Sequence, residues 1–547
     1  MDEVWPWLAS LPPPGPDTPP RSSFPLAASD DGASIVLQTD CTSNSVGSTA
    51  ESVLVAFSLT VDSANGVAHA LWTSETFAAD SPVASRLQLL GQLLDEVIAL
   101  SPSIPSLGPD ASESKLDAEV VSAVIEATGT DGSAFFSLAL LLRLFWLCAL
   151  EAPADFGYLF FQALGAEIER ALGSCAPALG IFLLSVGPDV EDRFMRSLGY
   201  MLAKWCLLRE MQAPTPAKPG TGVHPTACLS YATEVHGLWV LKGYAPVLAM
   251  PRVAGASSMP ITALPHELPE EPALRYGLVH QQLEVVAQLE YAVSVRDKRF
   301  IGVGVRVDNI RVRVVRLGYR KNDADATEGD VDDDVMDGER HFPSRIRLWV
   351  GPRFGSSYAT GPSLGRSTGN PEREVEATRT VKGAFSGATK LASSNGGPRV
   401  KAKMRTSART RNRSWRWEQE AEGSAGVFEG VLCDPATGTE VSAWRTGGNG
   451  GAGEADPRNG MRRRYGGPGR AFSKMRGLVV ASDELPEEVT WRVGREAEGR
   501  TMRWRVGLKV WVSYLPNQVR SRHFETRCVE WAHEVELPLV AANGDER

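Results

Sequence analysis

Thr501-Met502-Arg503-Trp504-Arg505-Val506-Gly507-Leu508-Lys509-Val510-Trp511-Val512-Ser513-Tyr514 is the stretch that decides the reading of this chain. Met502, Trp504, Val506, Leu508, Val510 and Val512 recur at every second position, with Arg503, Arg505 and Lys509 between them. Successive side chains of a strand point to opposite faces, so the alternation predicts a strand with one buried and one wet face. That is the pattern of an antiparallel sheet with one side in water.

The pattern spreads outward from there. A strand is expected at 489–494, joined by the turn-like Glu496-Ala497-Glu498-Gly499, and another at 525–537 after Pro516-Asn517. Upstream, strands read at 283–295, 301–307, 310–315, 344–350, 373–382, 414–421, 427–433 and 477–482. So many strands with little helix between them predict one or two β-sandwiches, or an open barrel, across 227–540.

Before residue 212 the period is 3.6. Val83, Leu87, Leu90, Leu94 and Val97 recur at helical spacing after Pro82. Further helices are expected at 115–127, 133–150, 154–172, 176–186 and 188–211, the last with Val190, Phe194, Leu198, Met201 and Trp205 on one face. Asp189, Glu191 and Asp192 suit the positive end of its dipole. Strands are expected at 33–38, 52–61 and 67–72, the last two forming a hairpin around Asn65-Gly66. The fold class is therefore α+β. A Pro-rich lead-in covers 1–32, with Trp5 and Trp7 as anchors. A mainly helical domain with a small β-hairpin covers 33–211, a Pro/Gly/Lys linker 212–226, the β-sandwich-like region 227–540, and a tail 541–547.

Charge divides the chain at the same place. Residues 1–220 hold 10 Lys/Arg against 26 Asp/Glu, and residues 221–547 hold 47 against 40. The second part is the better candidate for an anionic partner. Three loops concentrate charge. One at 322–339 is acidic. One at 396–413 is basic through Arg399, Lys401, Lys403, Arg405, Arg409, Arg411 and Arg413, with Trp415 and Trp417 beside it. One at 447–476 carries Arg462, Arg463, Arg464, Arg470, Lys474 and Arg476. Lys/Arg clusters beside aromatics bind phosphates of nucleic acid or acidic lipid. The competing reading is that Trp415 and Trp417 alternate on one strand and fill a core while the charges stay in solvent.

The run 133–150 is apolar enough to raise a membrane span. Arg143 interrupts it, Pro153 closes it, and it falls short of about 20 apolar residues. A helix buried inside a helical domain is expected instead. The seven cysteines are odd in number and form no CxxC. Cys148, Cys175 and Cys206 read as buried thiols, which points to a reducing compartment, cytoplasmic or nuclear.

No GxSxG elbow and no GxxxxGK[ST] phosphate loop occurs. His266-Glu267 and His533-Glu534 lack the second His of a zinc-binding HExxH. The GxGxxG match at Gly448 to Gly453 lies in a low-complexity loop, not between strand and helix. No cofactor, metal or catalytic residue is assigned on this basis.

Several segments resemble, as a set, an uncharacterised land-plant protein family. They are Trp5-Pro6-Trp7-Leu8 with Ser10-Leu11-Pro12-Pro13, His341-Phe342-Pro343-Ser344-Arg345-Ile346, Asn370-Pro371-Glu372-Arg373-Glu374, Arg464-Tyr465 leading into Gly477-Leu478-Val479-Val480, Met502-Arg503-Trp504, and Tyr514-Leu515-Pro516-Asn517. The resemblance implies a plant origin and a complete family unit. It carries no activity and no site residues. The expected function is non-enzymatic binding of a macromolecule, a protein first and acidic lipid or nucleic acid second. Two alternatives are kept. One is a carbohydrate-binding or hydrolytic β-sandwich, for which Glu418, Glu420 and Glu530 are possible carboxylates. The other is membrane association through 133–150.

Overall fold

Strand β18 (Thr501–Leu515) runs as its alternation predicts: Trp504, Val506, Leu508, Val510 and Val512 are all buried, while Arg503 is exposed and Arg505 and Lys509 are half-buried. It pairs antiparallel with β10 (Arg340–Pro352) on one side and β19 (Thr526–Pro538) on the other. The computed structural model describes residues 3–11, 21–29, 32–44, 52–62, 68–78, 82–101, 116–128, 132–148, 154–212, 229–235, 237–247, 280–294, 299–317, 340–353, 360–366, 379–384, 401–406, 415–433, 477–481, 485–515 and 526–540.

Strands β14 (Trp415–Glu422) and β15 (Ala425–Leu432) complete a five-stranded outer sheet, ordered β14-β15-β10-β18-β19. Against it lies a seven-stranded inner sheet. Its members are β6 (Leu229–Val235), β7 (Leu238–Val247), β8 (His280–Ser294), β9 (Phe300–Leu317), β11 (Thr360–Ser363), β16 (Gly477–Ala481) and β17 (Val489–Gly494). The order is β11-β17-β9-β8-β7-β6, with β16 also pairing β9. One apolar core fills the space between the sheets, from Trp239, Leu283 and Val303 to Ile346, Trp417, Trp491 and Trp531. The region is a β-sandwich on an α+β chain, as the alternation predicts.

Among the described residues the N-terminal part adds its own antiparallel sheet and six longer helices. Strands β1 (Arg21–Ala28), β2 (Ser34–Asn44), β3 (Ser52–Asp62) and β4 (Ala68–Thr73) follow in order, and β5 (Phe77–Ala78) also pairs β3. This is larger than the expected hairpin, and it takes in part of the expected lead-in. Residues 21–28 form an edge strand, a place where Pro25 is tolerated because the missing N–H need not pair. A first short helix, α1 (Val4–Ser10), seats the terminus: Trp5 packs on Phe136 at 4.8 Å and Trp7 on Phe24 at 5.3 Å.

The helices are α2 (Pro82–Ala99), α3 (Ala118–Thr128), α4 (Gly132–Trp146), α5 (Ala154–Ser174), α6 (Ala176–Ser185) and α7 (Pro188–Gln212). Helix α4 is buried on every side, including Arg143. The guanidinium of Arg143 donates to Glu96 of α2, and Glu96 also accepts from Trp72 at 3.1 Å and Gln92 at 2.7 Å. The arginine that broke the apolar run is thus an interior ion-pair partner. Among the described residues no single helix is long and apolar enough to cross a membrane. The pair 159–174 and 176–185, bent by 67°, passes by length and composition only.

The expected basic loop at 396–413 contains a strand. Residues β13 (Lys401–Thr406) pair antiparallel with β12 (Arg379–Ala384) in a separate two-stranded ribbon. Charge-dense sequence reads as loop, but alternating Lys and small residues also suit a strand. The loops at 322–339 and 447–476 lie outside the described residues, as does the linker at 213–226.

Candidate interaction surface

The two outer faces of the sandwich differ. The inner sheet is covered by α7. Strand β8 sends Leu283, Val285, Ala287 and Leu289 into the sandwich, and Gln282 and Glu284 toward the helix. The helix comes close at Gly199, where a Cβ would stand 1.6 Å from the Gln282 side-chain oxygen. No larger residue fits there without displacing Gln282.

Charged and hydroxyl groups fill this junction in two clusters. Glu191, 3% exposed, accepts from the hydroxyls of Tyr231 at 2.5 Å and Tyr244 at 2.7 Å, and from the Lys242 ammonium at 2.5 Å. Burial first, and the Glu191 carboxylate with it, hold both tyrosines far above their ordinary pKa, so they remain donors. In the second cluster Arg196 donates to Glu284 at 2.9 Å and lies 3.5 Å from Asp192. Arg313 of β9 reaches the same two carboxylates, at 2.9 Å and 3.3 Å. Burial acts to lower the pKa of Arg196, but Glu284 and then Asp192 outweigh it and leave it raised. The clusters bind helix to sheet with every carboxylate paired, as buried charges require.

Among the described residues the outer face of the outer sheet is largely exposed or half-buried, while Val427, Glu429 and Val431 of β15 are buried. Alternation places there seven cations, Arg345, Arg347, Arg353, Arg416, Arg503, Arg505 and Lys509, and seven carboxylates, Glu418, Glu420, Glu422, Glu429, Glu530, Glu534 and Glu536. They pair across the sheet, two of the pairs on adjacent strands and two reaching over an intervening strand. Arg345 bonds Glu429, Arg347 bonds Glu422 at 2.9 Å, Lys509 bonds Glu530 at 3.3 Å, and Arg353 bonds Glu534 at 3.1 Å. Two half-buried tryptophans stand among them. Trp511 carries Arg345 at 5.1 Å and Lys509 at 5.4 Å from its ring centroid. Trp349 lies across Gly507, where a Cβ would stand 1.9 Å from the ring. The face is therefore neutral, ladder-like and aromatic.

Of the residues singled out in the sequence, Trp417 is 1% exposed and packs over Gly430 in the sandwich core. Trp415 is half-buried and stacks on it at 6.2 Å. These two are core residues of β14, the competing reading above. Lys401, Lys403 and Arg405 fall on β13. Arg399, Arg409, Arg411, Arg413, Arg462, Arg463, Arg464, Arg470, Lys474 and Arg476 lie outside the described residues. Glu418 and Glu420 stand on β14 and Glu530 on β19, opposite edges of the sheet and four strand spacings apart, roughly 19 Å. Glu530 is therefore not a catalytic partner of either.

One further pair has no signature in the sequence. Nε2 of His533 on β19 and Oγ of Ser230 on β6 are 2.7 Å apart where the two sheets meet. Burial lowers the histidine pKa. Among the described residues no carboxylate is hydrogen-bonded to the ring, so the third member of a nucleophilic triad is missing. The pair joins the seam of the sandwich, beside Trp531 over Gly243 and the Trp239 indole donating to the Glu536 carbonyl at 3.1 Å. Among the described residues no group of three His, Cys, Asp or Glu is placed to hold a metal ion.

No protein-family model matches this chain, and no curated protein matches it. Among solved structures, 48% of the chain is similar to 90% of the membrane-inserted form of the Clostridium perfringens NetB toxin, at 8% identity and a TM-score of 0.20. Likewise 56% is similar to 96% of the Clostridium perfringens delta-toxin, at 10% identity and 0.21. A pore-forming protein matches over 56% of this chain and 95% of its own, at 9% identity and 0.18. Likeness at such TM-scores supports no statement about fold or activity.

Proposed function

We infer that this is a non-enzymatic binding protein and that its partner is another protein, held on the outer face of the outer sheet. The observation that carries the reading is the pair Trp349 and Trp511, left half-buried among seven cations and seven carboxylates. Exposed ion pairs add little to stability, typically about 0–1 kcal/mol. Their dense arrangement around two tryptophans matches the Trp- and Arg-centred anchors of protein interfaces. A nucleic-acid site needs an excess of positive charge, and this face has none. A sugar platform needs a bare aromatic face, whereas Arg345 and Lys509 already lie on Trp511.

The six described cysteines are free thiols, which supports a reducing, intracellular compartment. The test is affinity capture from plant tissue with the wild type and with Trp511→Ala combined with Arg345→Ala. A partner enriched by the wild type and lost in the variant supports the reading. Equal capture by both places the partner elsewhere and overturns it, and binding on a glycan array in place of protein capture replaces it with the carbohydrate reading.

A further inference from the structure

The outer face of the outer sheet holds equal numbers of cations and carboxylates, but they are segregated by strand. After Arg416, strand β14 presents Glu418, Glu420 and Glu422, whereas β18 presents Arg503, Arg505 and Lys509. The register lines these groups up in rows across the sheet. In one row Glu418 stands opposite Glu429, Glu429 opposite Arg347, and Arg347 opposite Lys509. Like charges directly opposite each other are destabilising. Here they lean away from each other, Glu418 to Arg416, Arg347 to Glu422 and Lys509 to Glu530. Four positions along each strand, Glu422 and Arg505 share a row, and two positions the other way Arg416 shares one with Trp511.

Strand β15 does not interrupt this surface. Arg347 reaches over it to Glu422, and Arg345 bonds Glu429. The buried Val427 and Glu429 therefore lie under arginine side chains whose own charged ends reach water.

We propose that the protein held on this face is a second copy of the chain, packed face to face about a two-fold axis that runs along the strands between β15 and β10. The proposal rests on the reading of this face as a protein-binding surface and names its occupant. Such an axis lays β18 of each copy over β14 of the other. It brings Lys509 against Glu418, Arg505 against Glu422 and Trp511 against Arg416, and each contact occurs twice. Sheets packed this way run within about 30° of each other, an offset that long Arg, Lys and Glu side chains span.

The charge pattern chooses this occupant. A face with separated charges and no net charge complements itself once turned about such an axis, and two-fold dimers are the commonest closed assemblies. The four strands that overlap, about 4.8 Å apart and about 27 Å long, give roughly 500 Å² of flat sheet per copy. The relief of the long side chains brings this toward the about 800 Å² per partner of a standard interface.

The experiment is the mass of the full chain in solution, by light scattering and sedimentation equilibrium, with charge swaps on the two strands. A dimer is expected for the wild type, weakening as salt is raised. Arg505→Glu with Lys509→Glu makes both meeting strands acidic, and Glu418→Lys with Glu422→Lys makes both basic. Each variant alone should be monomeric, with its dissociation constant raised about tenfold or more. Mixed in equal amounts, the two variants should form a dimer again, because the acidic β18 of one meets the basic β14 of the other. A misfolded variant cannot give that rescue, and the wild-type mass decides by itself if a variant does not fold. Three outcomes overturn the proposal: a monomeric wild type, a dimer untouched by either swap, or two variants that stay apart when mixed. A monomeric wild type whose capture of a different protein still depends on Trp511 overturns the second copy and leaves the protein-binding face standing. A monomeric wild type that captures the same proteins as the Trp511 variant removes the face along with the dimer.

Discussion

The inner sheet turns Lys242, Glu284 and Arg313 toward helix α7, while the outer sheet turns Arg345, Arg347 and Lys509 toward solvent. Both sets come from the same alternation of apolar and charged positions. On one side two buried carboxylates, Glu191 and Glu284, are satisfied by partners as far as 53 and 88 positions away, while the cations Lys242 and Arg313 stay partly in water. On the other, Arg345 and Lys509 pair across adjacent strands and Arg347 reaches two strands over to Glu422, with at least one partner of each pair left in water. The first arrangement makes structure that is costly to break. The second makes a surface that is cheap to change, which is what a binding face can use.

Glu191→Ala is the sharpest way to break that contrast. It leaves the Lys242 ammonium and the hydroxyls of Tyr231 and Tyr244 without their shared acceptor. Removing one partner of a buried pair costs about 3–5 kcal/mol, and Lys242, 25% exposed, puts this case at about 3 kcal/mol. Equilibrium denaturation measures it. A loss under about 1 kcal/mol would mean that the junction is no drier than the open face. The same titration shows whether helices and sandwich unfold in one transition, as the shared junction requires.

Gly507→Ala tests the open face where it is tightly packed. The new methyl group meets the Trp349 ring, which has to swing away. Overpacking of this kind costs about 1–3 kcal/mol. The cost should largely disappear in a Trp349→Ala background, because the two changes share one contact. An unchanged cost in that background would put the clash elsewhere.

Lys204, 1% exposed on α7, adds a pH dependence to the covered side. Burial lowers its pKa from 10.5 to about 7. Between about pH 7 and 10 the unfolded chain holds a proton that the folded chain has released, so stability rises with pH across that window. The slope is at most about 1.4 kcal/mol per pH unit. Cys148 and Cys175, pushed up to about 12 by burial, act in the opposite direction only above about pH 9. Melts of the wild type and Lys204→Met between pH 7 and 9 isolate the effect. The variant should lose the rise, and parallel curves would exclude Lys204 as the titrating group.

These sites were unequally legible in the sequence. Alternation placed β18 and its wet face, and the 3.6 period placed Phe194, Leu198 and Met201 in the core along α7. Glu191 read only as a carboxylate suited to a helix N-terminus. Its partners depend on which strands lie under the helix, and local periodicity holds no record of that. Strand β1 was hidden by Pro25 and its Ser-rich surroundings, and β13 by its charge. The aromatic pair of the outer face is not legible, because Trp349 and Trp511 occupy the wet register, where cations dominate the sequence. Trp415 and Trp417, beside the cationic run, belong to the core and its edge.

The smallest effect on stability separates fold from function on the outer face. Lys509 pairs with Glu530 at 3.3 Å, with 34% and 54% of their side chains exposed. Water screens such a pair, and Lys509→Ala should cost no more than about 0.5 kcal/mol. The same change removes a cation from the Trp511 ring, 5.4 Å away. If these pairs and Trp511 form the binding face, partner capture should fall severalfold while the denaturation midpoint stays in place. A midpoint that falls with capture would make the ladder part of the fold, and the open face would then resemble the covered one.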